Sequence, residues 1–86
     1  MDPWKILRYA HMTEKSVALV EKENKIVFIV DRKATKEKVQ QAVEQAFDVK
    51  VDKVNVVNTM TGEKKVYVKL KPGFKAIDVA VKLGIV

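Results

Sequence analysis

The apolar run Ile-Val-Phe-Ile-Val at positions 26–30 constrains the fold more than any other feature of the sequence. Its members are β-branched or aromatic, and five in a row leave no polar face. Such a run is typical of a strand that is buried on both faces. We therefore predict that residues 25–31 form a central strand of a sheet that is covered, at least in part, on both sides.

Three other segments have the periodicity or the caps of helices: residues 13–24, 34–47 and 74–86. The second has apolar residues at positions 39, 42, 43, 46 and 47, which is the spacing of one helix face. Thr13 and Thr35 are the expected N-caps of the first two helices, with Glu14 in a first turn where the helix dipole favours an acid. Gly84 is expected just past the end of the third helix.

The remaining strands are predicted at residues 4–10, 49–59 and 64–71. In the first, strict alternation would place Leu7 and Tyr9 on the same side. The last two are joined by the short turn 58–63, so they are expected to pair as an antiparallel hairpin. The order is β-α-β-α-β-β-α. We expect residues 1–86 to form a single domain, an α/β sandwich with one mainly antiparallel four-stranded sheet covered by helices.

The stretch GEKKVYVKLKPG at 62–73 carries the strongest functional signal, because its polar positions are basic. Residues 61–75 contain five lysines and one acid, and the whole chain has a formal charge of +6. Concentrated positive charge favours a phosphate backbone through counterion release, and a tyrosine among the lysines can stack on a base. The predicted RNA-binding residues of this hairpin are Lys53, Asn55, Lys64, Lys65, Tyr67, Lys69 and Lys71. The alternative is an edge strand whose lysines prevent aggregation.

A second basic group, Arg32, Lys33, Lys36 and Lys38, lies around the start of the 34–47 helix. Exposed amides and the dipole at a helix start suit a phosphate, so we add the first three of these residues to the predicted RNA-binding set. The alternative is a solvated helix start that Asp31 and Glu37 partly neutralise. A weaker basic set near the N-terminus comprises Lys5, Arg8, Tyr9 and His11.

Other functions find little support in the composition. The chain has no cysteine, which removes disulfides and thiolate metal sites and fits a cytoplasmic protein. One histidine, one serine, three isolated glycines and scattered acids predict no catalytic triad, phosphate loop, metal site or cofactor, so we expect no enzyme. No apolar stretch reaches the ~18 residues of a membrane span, and the N-terminus lacks a signal-peptide pattern. The 64–71 strand also lacks the paired aromatics and glycines of an RNA recognition motif.

Several stretches together resemble the universal large-subunit ribosomal protein of the L-twenty-three family in its archaeal form. These are TEKS at 13–16, NKIVFIVDRKATKEKVQQAVEQAFDVKVDKVNVVNT at 24–59 and GEKKVYVKLKPGFKAIDVAVKLGI at 62–85. The resemblance implies an α/β sandwich that binds large-subunit ribosomal RNA at the rim of the polypeptide exit tunnel. Bacterial members have a long basic loop where this chain has only NTMTGE, which argues against a role in lining the tunnel.

The resemblance also implies partners. Members of the family are monomeric within the ribosome, with a protein of the L-twenty-nine family as neighbour. The rim is a docking surface for nascent-chain factors, and in archaea the signal recognition particle and the translocon are the expected visitors. The docking segment of the family maps onto Thr13, Glu14 and Lys15, although first-turn helix stabilisation alone would also explain Glu14.

Three alternatives stay open on the sequence. A free-standing RNA-binding regulatory domain would prefer single strands, and a protein–protein adaptor would not retain RNA even in low salt. A lysine- and glutamate-rich protein from a heat-adapted organism would share the composition.

Overall fold

The computed structural model describes residues 2–11 and 13–84 and confirms the predicted order of strands and helices. A 3₁₀ turn at Pro3–Lys5 precedes the first strand. The strands are β1 (Leu7–Ala10), β2 (Lys25–Val30), β3 (Val51–Asn58) and β4 (Lys64–Leu70). The helices of the described part are α1 (Glu14–Lys22), α2 (Lys36–Phe47) and α3 (Ala76–Leu83). Residues 85–86 of the predicted third helix lie outside the described residues.

The four strands form one antiparallel sheet in the order β1-β2-β4-β3. β2 and β4 are therefore interior strands, and β1 and β3 are the edges. Both edge strands have an irregular register, between Leu7 and Tyr9 in β1 and between Val51 and Lys53 in β3. Such bulges are a common protection of exposed sheet edges, because they disrupt the row of free backbone groups.

The main core lies on one side of the sheet, under α2 and α3. Phe28 of β2 is completely buried and stacks on Phe47 of α2, with ring centroids 6.1 Å apart. Val27 and Ile29 are also buried, at 3% and 2% exposure, but they alternate with the core residues and lie outside the core cluster. The prediction that this strand is buried on both faces is therefore confirmed.

The predicted N-terminal strand is shorter than expected. Asp2 accepts a hydrogen bond from the Trp4 amide at 3.0 Å and caps the 3₁₀ turn, so the strand begins only at Leu7. The expectation that Leu7 and Tyr9 share a side was wrong. Leu7 lies opposite Val30 and is buried in the core, whereas Tyr9 lies opposite Ile29 and is half-exposed, because the bulge inserts Arg8 between them.

Asn24 ties the start of α3 to the turn between α1 and β2. Its backbone is left-handed, with φ of 57°, and its side-chain oxygen accepts from the Ala76 amide at 2.6 Å. Its side-chain nitrogen donates to the Phe74 carbonyl at 2.8 Å. Because Lys75, the N-cap residue of α3, makes no capping bond through its own side chain, Asn24 supplies that cap from a distance in sequence.

Candidate nucleic-acid interface

The sheet face turned away from the core carries the polar side of the 64–70 strand. We call it the open face, and the strand register arranges it in three rows that run across the strands. One row holds Tyr9, Ile29, Lys65 and Val57; the middle row holds Val27, Tyr67 and Asn55; the third row holds Lys25, Lys69 and Lys53.

The third row places three lysines directly opposite one another on β2, β4 and β3. Among the described residues the structure has one ion pair, Lys25 with Glu23 at 3.5 Å, and it leaves Lys69 and Lys53 without a carboxylate partner. Like charges directly opposite each other in a sheet are destabilising. The row is therefore costly in the isolated protein, and a bound polyanion would relieve that cost.

The position of β4 in the sheet separates the two explanations of its lysines. Protection against aggregation applies to an edge strand, but β4 pairs with β2 on one side and β3 on the other. Edge protection therefore accounts at most for Lys53 on β3, and it does not account for Lys65 and Lys69.

Tyr67 lies at the centre of the open face and is partly buried. The Lys65 ammonium is 5.8 Å from the centroid of its ring, a cation–π contact. Glu63, the one acid of this region, is engaged by Tyr9, whose hydroxyl donates to Glu63 Oε2 at 2.6 Å. This hydrogen bond and the nearby carboxylate charge raise the pKa of Tyr9 above its ordinary value. The acid closest in sequence to the lysines is thus bound to a phenol.

The structure does not bring all the predicted RNA-binding residues to one surface. Lys53, Asn55, Lys65, Tyr67 and Lys69 share the open face. Five others lie elsewhere. The Lys64 ammonium donates to the Ala34 carbonyl in the β2–α2 connection. Arg32, Lys33 and Lys36 are exposed in that connection and at the first position of α2, and Lys71 follows the end of β4.

The chain is similar to known proteins over almost its whole length. The family model described as Ribosomal protein L23 matches residues 5–83. The chain belongs to the ribosomal protein L23 family. It is 45% identical over 85 residues to the Large ribosomal subunit protein uL23 of Methanothermobacter thermautotrophicus, and 45% identical over 85 residues to that of Methanococcus aeolicus. Each alignment covers 99% of this chain and 99% of the relative.

Membership in the L23 family confirms the resemblance to archaeal proteins of the large subunit. The chain is a structural constituent of the large ribosomal subunit, associates with its rRNA and serves translation in the cytoplasm, without an enzymatic role. Within residues 2–11 and 13–84, no helix is long and apolar enough to cross a membrane, and no group of His, Asp or Glu side chains could hold a metal ion.

The one serine of the chain has a structural role. Ser16 Oγ accepts from the Thr13 amide at 2.7 Å, and the Ser16 amide donates back to Thr13 Oγ1 at 3.2 Å. Ser16 Oγ is also 2.7 Å from the backbone carbonyl of His11, to which it donates. These bonds fix the start of α1, so the predicted Thr13 cap is confirmed and takes the form of a capping box.

A groove of about 470 Å³ adjoins the open face at the start of α1. The predicted docking residues Thr13, Glu14 and Lys15 line it together with Lys65 and Tyr67. Leu19 and Val27 supply its apolar lining. The fold thus places the predicted docking segment beside the predicted RNA-binding residues, which the distance along the chain did not suggest.

Sequence reasoning missed Lys25 as a member of the open face. It precedes a run that was treated as entirely buried, and its place opposite Lys69 depends on the pairing of β2 with β4. The signal that was available is the period of two, since Lys25, Val27 and Ile29 alternate with the core positions of the same strand.

Proposed function

We propose that this chain holds large-subunit rRNA against its open face, near the polypeptide exit tunnel, and that the groove beside that face is a docking site for nascent-chain factors. The observation that carries the first part is the row of Lys25, Lys69 and Lys53 across three strands. Two of these ammonium groups have no anionic partner among the described residues, and β4 is an interior strand.

The mechanism is electrostatic. Lysine ammonium groups on a shallow face contact phosphates as point charges, which position an RNA segment without selecting its sequence. Tyr67 and Asn55, in the middle row, add stacking and hydrogen bonding to exposed bases or to 2′-hydroxyl groups. The protein would therefore recognise the folded shape of the rRNA.

Three substitutions on the open face test this assignment. Lys53, Lys65 and Lys69 are changed together to Gln. Binding to a large-subunit rRNA transcript is then measured at salt concentrations from about 50 to about 300 mM. Each phosphate contact contributes about −0.7 to −0.9 to the log–log slope of affinity against salt. We expect the triple variant to lose about 2 to 3 units of slope and most of its affinity.

The matched control changes Lys22, Lys50 and Lys82 to Gln. It removes the same three charges from outside the open face, so net charge alone cannot explain a difference between the two variants. Equal slopes for the two triple variants would refute the assignment of the open face.

The docking proposal rests on the family resemblance and on the groove. Glu14 is exposed at the start of α1 and lines the groove, where a basic side chain of a visiting protein can pair with it. The proposed visitors are the signal recognition particle and the translocon, with a protein of the L-twenty-nine family as ribosomal neighbour. The five-residue connection Thr59–Glu63 closes on itself through a Thr59 amide to Glu63 carbonyl bond of 2.9 Å, which supports a place at the rim and not in the tunnel.

Charge reversal tests the docking site. Ribosomes that carry Glu14→Lys are expected to bind the signal recognition particle at least about tenfold more weakly, because a like charge replaces a complementary one. Glu21→Lys, on an exposed position of the same helix, is the control. Equal binding by the two variants would remove Glu14 from the docking site and leave the rRNA assignment untouched.

A further inference from the structure

The two arginines of the chain meet at one place. Arg8 in β1 and Arg32 after β2 line a depression of about 270 Å³ together with Lys5 and Asp31. Three cationic side chains and one carboxylate therefore line the same depression. None of the four forms an ion pair with another described residue.

The bulge in β1 directs the Arg8 side chain toward this depression. Leu7 faces Val30 and Tyr9 faces Ile29, so Arg8 is the extra residue of the bulge. Bulges re-aim a side chain and are frequent beside functional sites. The bulge therefore has a consequence beyond protection of the edge, since it removes Arg8 from the alternation of the strand.

The surrounding backbone holds the depression in place. The Asp31 amide donates to the Ile6 carbonyl at 2.9 Å, which ties the β2–α2 connection to the start of β1. Trp4 of the 3₁₀ turn packs edge-on against Phe47, with ring centroids 5.9 Å apart. Asp31 Oδ1 accepts from the Lys33 amide at 3.0 Å, so part of its acceptor capacity is used within the loop.

We propose that Lys5, Arg8 and Arg32 form a second RNA contact, a notch that binds phosphodiester groups of an RNA segment other than the one on the open face. The proposal rests on the proposed rRNA-binding function. Guanidinium groups match phosphate with paired N–H donors and are more weakly hydrated than ammonium groups. Apart from these two arginines, every Lys or Arg position of the chain is a lysine. Both arginines thus line this one depression. The paired donors of the notch would fix the orientation of the bound phosphodiester groups, whereas the lysines of the open face make point-charge contacts.

The test compares paired variants of the full chain with a large-subunit rRNA transcript as the probe. The Arg8→Gln/Arg32→Gln variant is expected to bind about 10- to 100-fold more weakly at about 0.1 M salt and to lose about 1.4 to 1.8 units of salt slope. Arg8→Lys/Arg32→Lys keeps both charges but loses the planar donors. It should retain the slope to within about half a unit and still bind about 3- to 10-fold more weakly.

Two controls make the outcome specific. Lys22→Gln/Lys82→Gln removes the same charge from α1 and α3, and a thermal melt confirms that each variant is folded. Binding by the arginine-to-glutamine variant within twofold of this control would overturn the notch. If the open-face variant is impaired at the same time, the proposed function survives; if neither variant is impaired, both fail.

A titration with inorganic phosphate separates RNA from a small anion. Saturating chemical-shift changes at the Arg8 and Arg32 amides, combined with unchanged RNA affinity in the arginine-to-glutamine variant, would identify a free-phosphate site and overturn the RNA assignment. Weak, non-saturating changes combined with a loss of RNA affinity would support the notch.

Discussion

Lys69→Gln is expected to stabilise the isolated protein while it weakens RNA binding. Lys69 faces Lys25 on one side and Lys53 on the other, and neighbouring strands lie ~4.8 Å apart. If the ammonium groups spread to ~7 Å, each repulsion is worth about 0.6 kcal/mol in water before screening. Screening reduces the two repulsions together to about 0.5 kcal/mol at 0.15 M salt.

The salt dependence of this effect is its signature. The same estimate gives about 0.9 kcal/mol for the two repulsions at 0.01 M salt and about 0.1 kcal/mol at 1 M salt. The pairing of Lys25 with Glu23 makes these values upper limits. At 0.15 M salt the gain corresponds to a rise of about 2 to 4 °C in Tm for a domain of this size.

The assay is thermal unfolding at these three salt concentrations, monitored by circular dichroism. Lys22→Gln is the control, because it lowers the net charge by the same unit but removes a cation from the last turn of α1, where the dipole favours one. The control is expected to be neutral or slightly destabilised. A Lys69→Gln variant that melts at or below the parent in 0.01 M salt, or a gain that does not change with salt, would refute the reasoning.

Three further predictions concern the scaffold. Asn24→Ala should lower the free energy of unfolding by about 2 to 3 kcal/mol in a denaturant titration, because two hydrogen bonds are lost and the residue has a left-handed backbone. The control Asn58→Ala should change the free energy of unfolding by less than ~0.5 kcal/mol. Ser16→Ala should cost about 1 kcal/mol by the same measurement, and no loss would disprove the capping box. The raised pKa of Tyr9 means that the stabilisation from its bond to Glu63 is complete below about pH 10 and is lost as the pH rises through that pKa. In an absorbance titration, Glu63→Gln should return the pKa of Tyr9 toward its ordinary value, and an unchanged titration would contradict this.

The parts of the fold with local signals could be predicted from the sequence. The run at 26–30, the helical spacing of Val39, Ala42 and Val43, and the threonine caps each act within a few residues, so a single sequence contains them. The alternation of Lys65, Tyr67 and Lys69 was equally visible in the sequence, and it correctly predicted that these three side chains share one face of β4.

The features that could not be predicted depend on contacts between residues that are distant in the sequence. The lysine row requires β4 to lie between β2 and β3, and nothing within β4 specifies that order. The bulge at Arg8 reversed the expected side of Tyr9, and Asn24 caps a helix through its bond to Ala76, 52 residues away along the chain. These contacts are specified by the packing of the whole chain, so local patterns contain little trace of them.

The most direct test of the central claim is a cryo-EM map of the large subunit that contains this chain. We predict RNA phosphates within contact distance of the Lys53, Lys65 and Lys69 ammonium groups, with α2 and α3 turned away from that RNA segment. A map in which the open face contacts solvent or another protein, while rRNA lies against the helices, would contradict it.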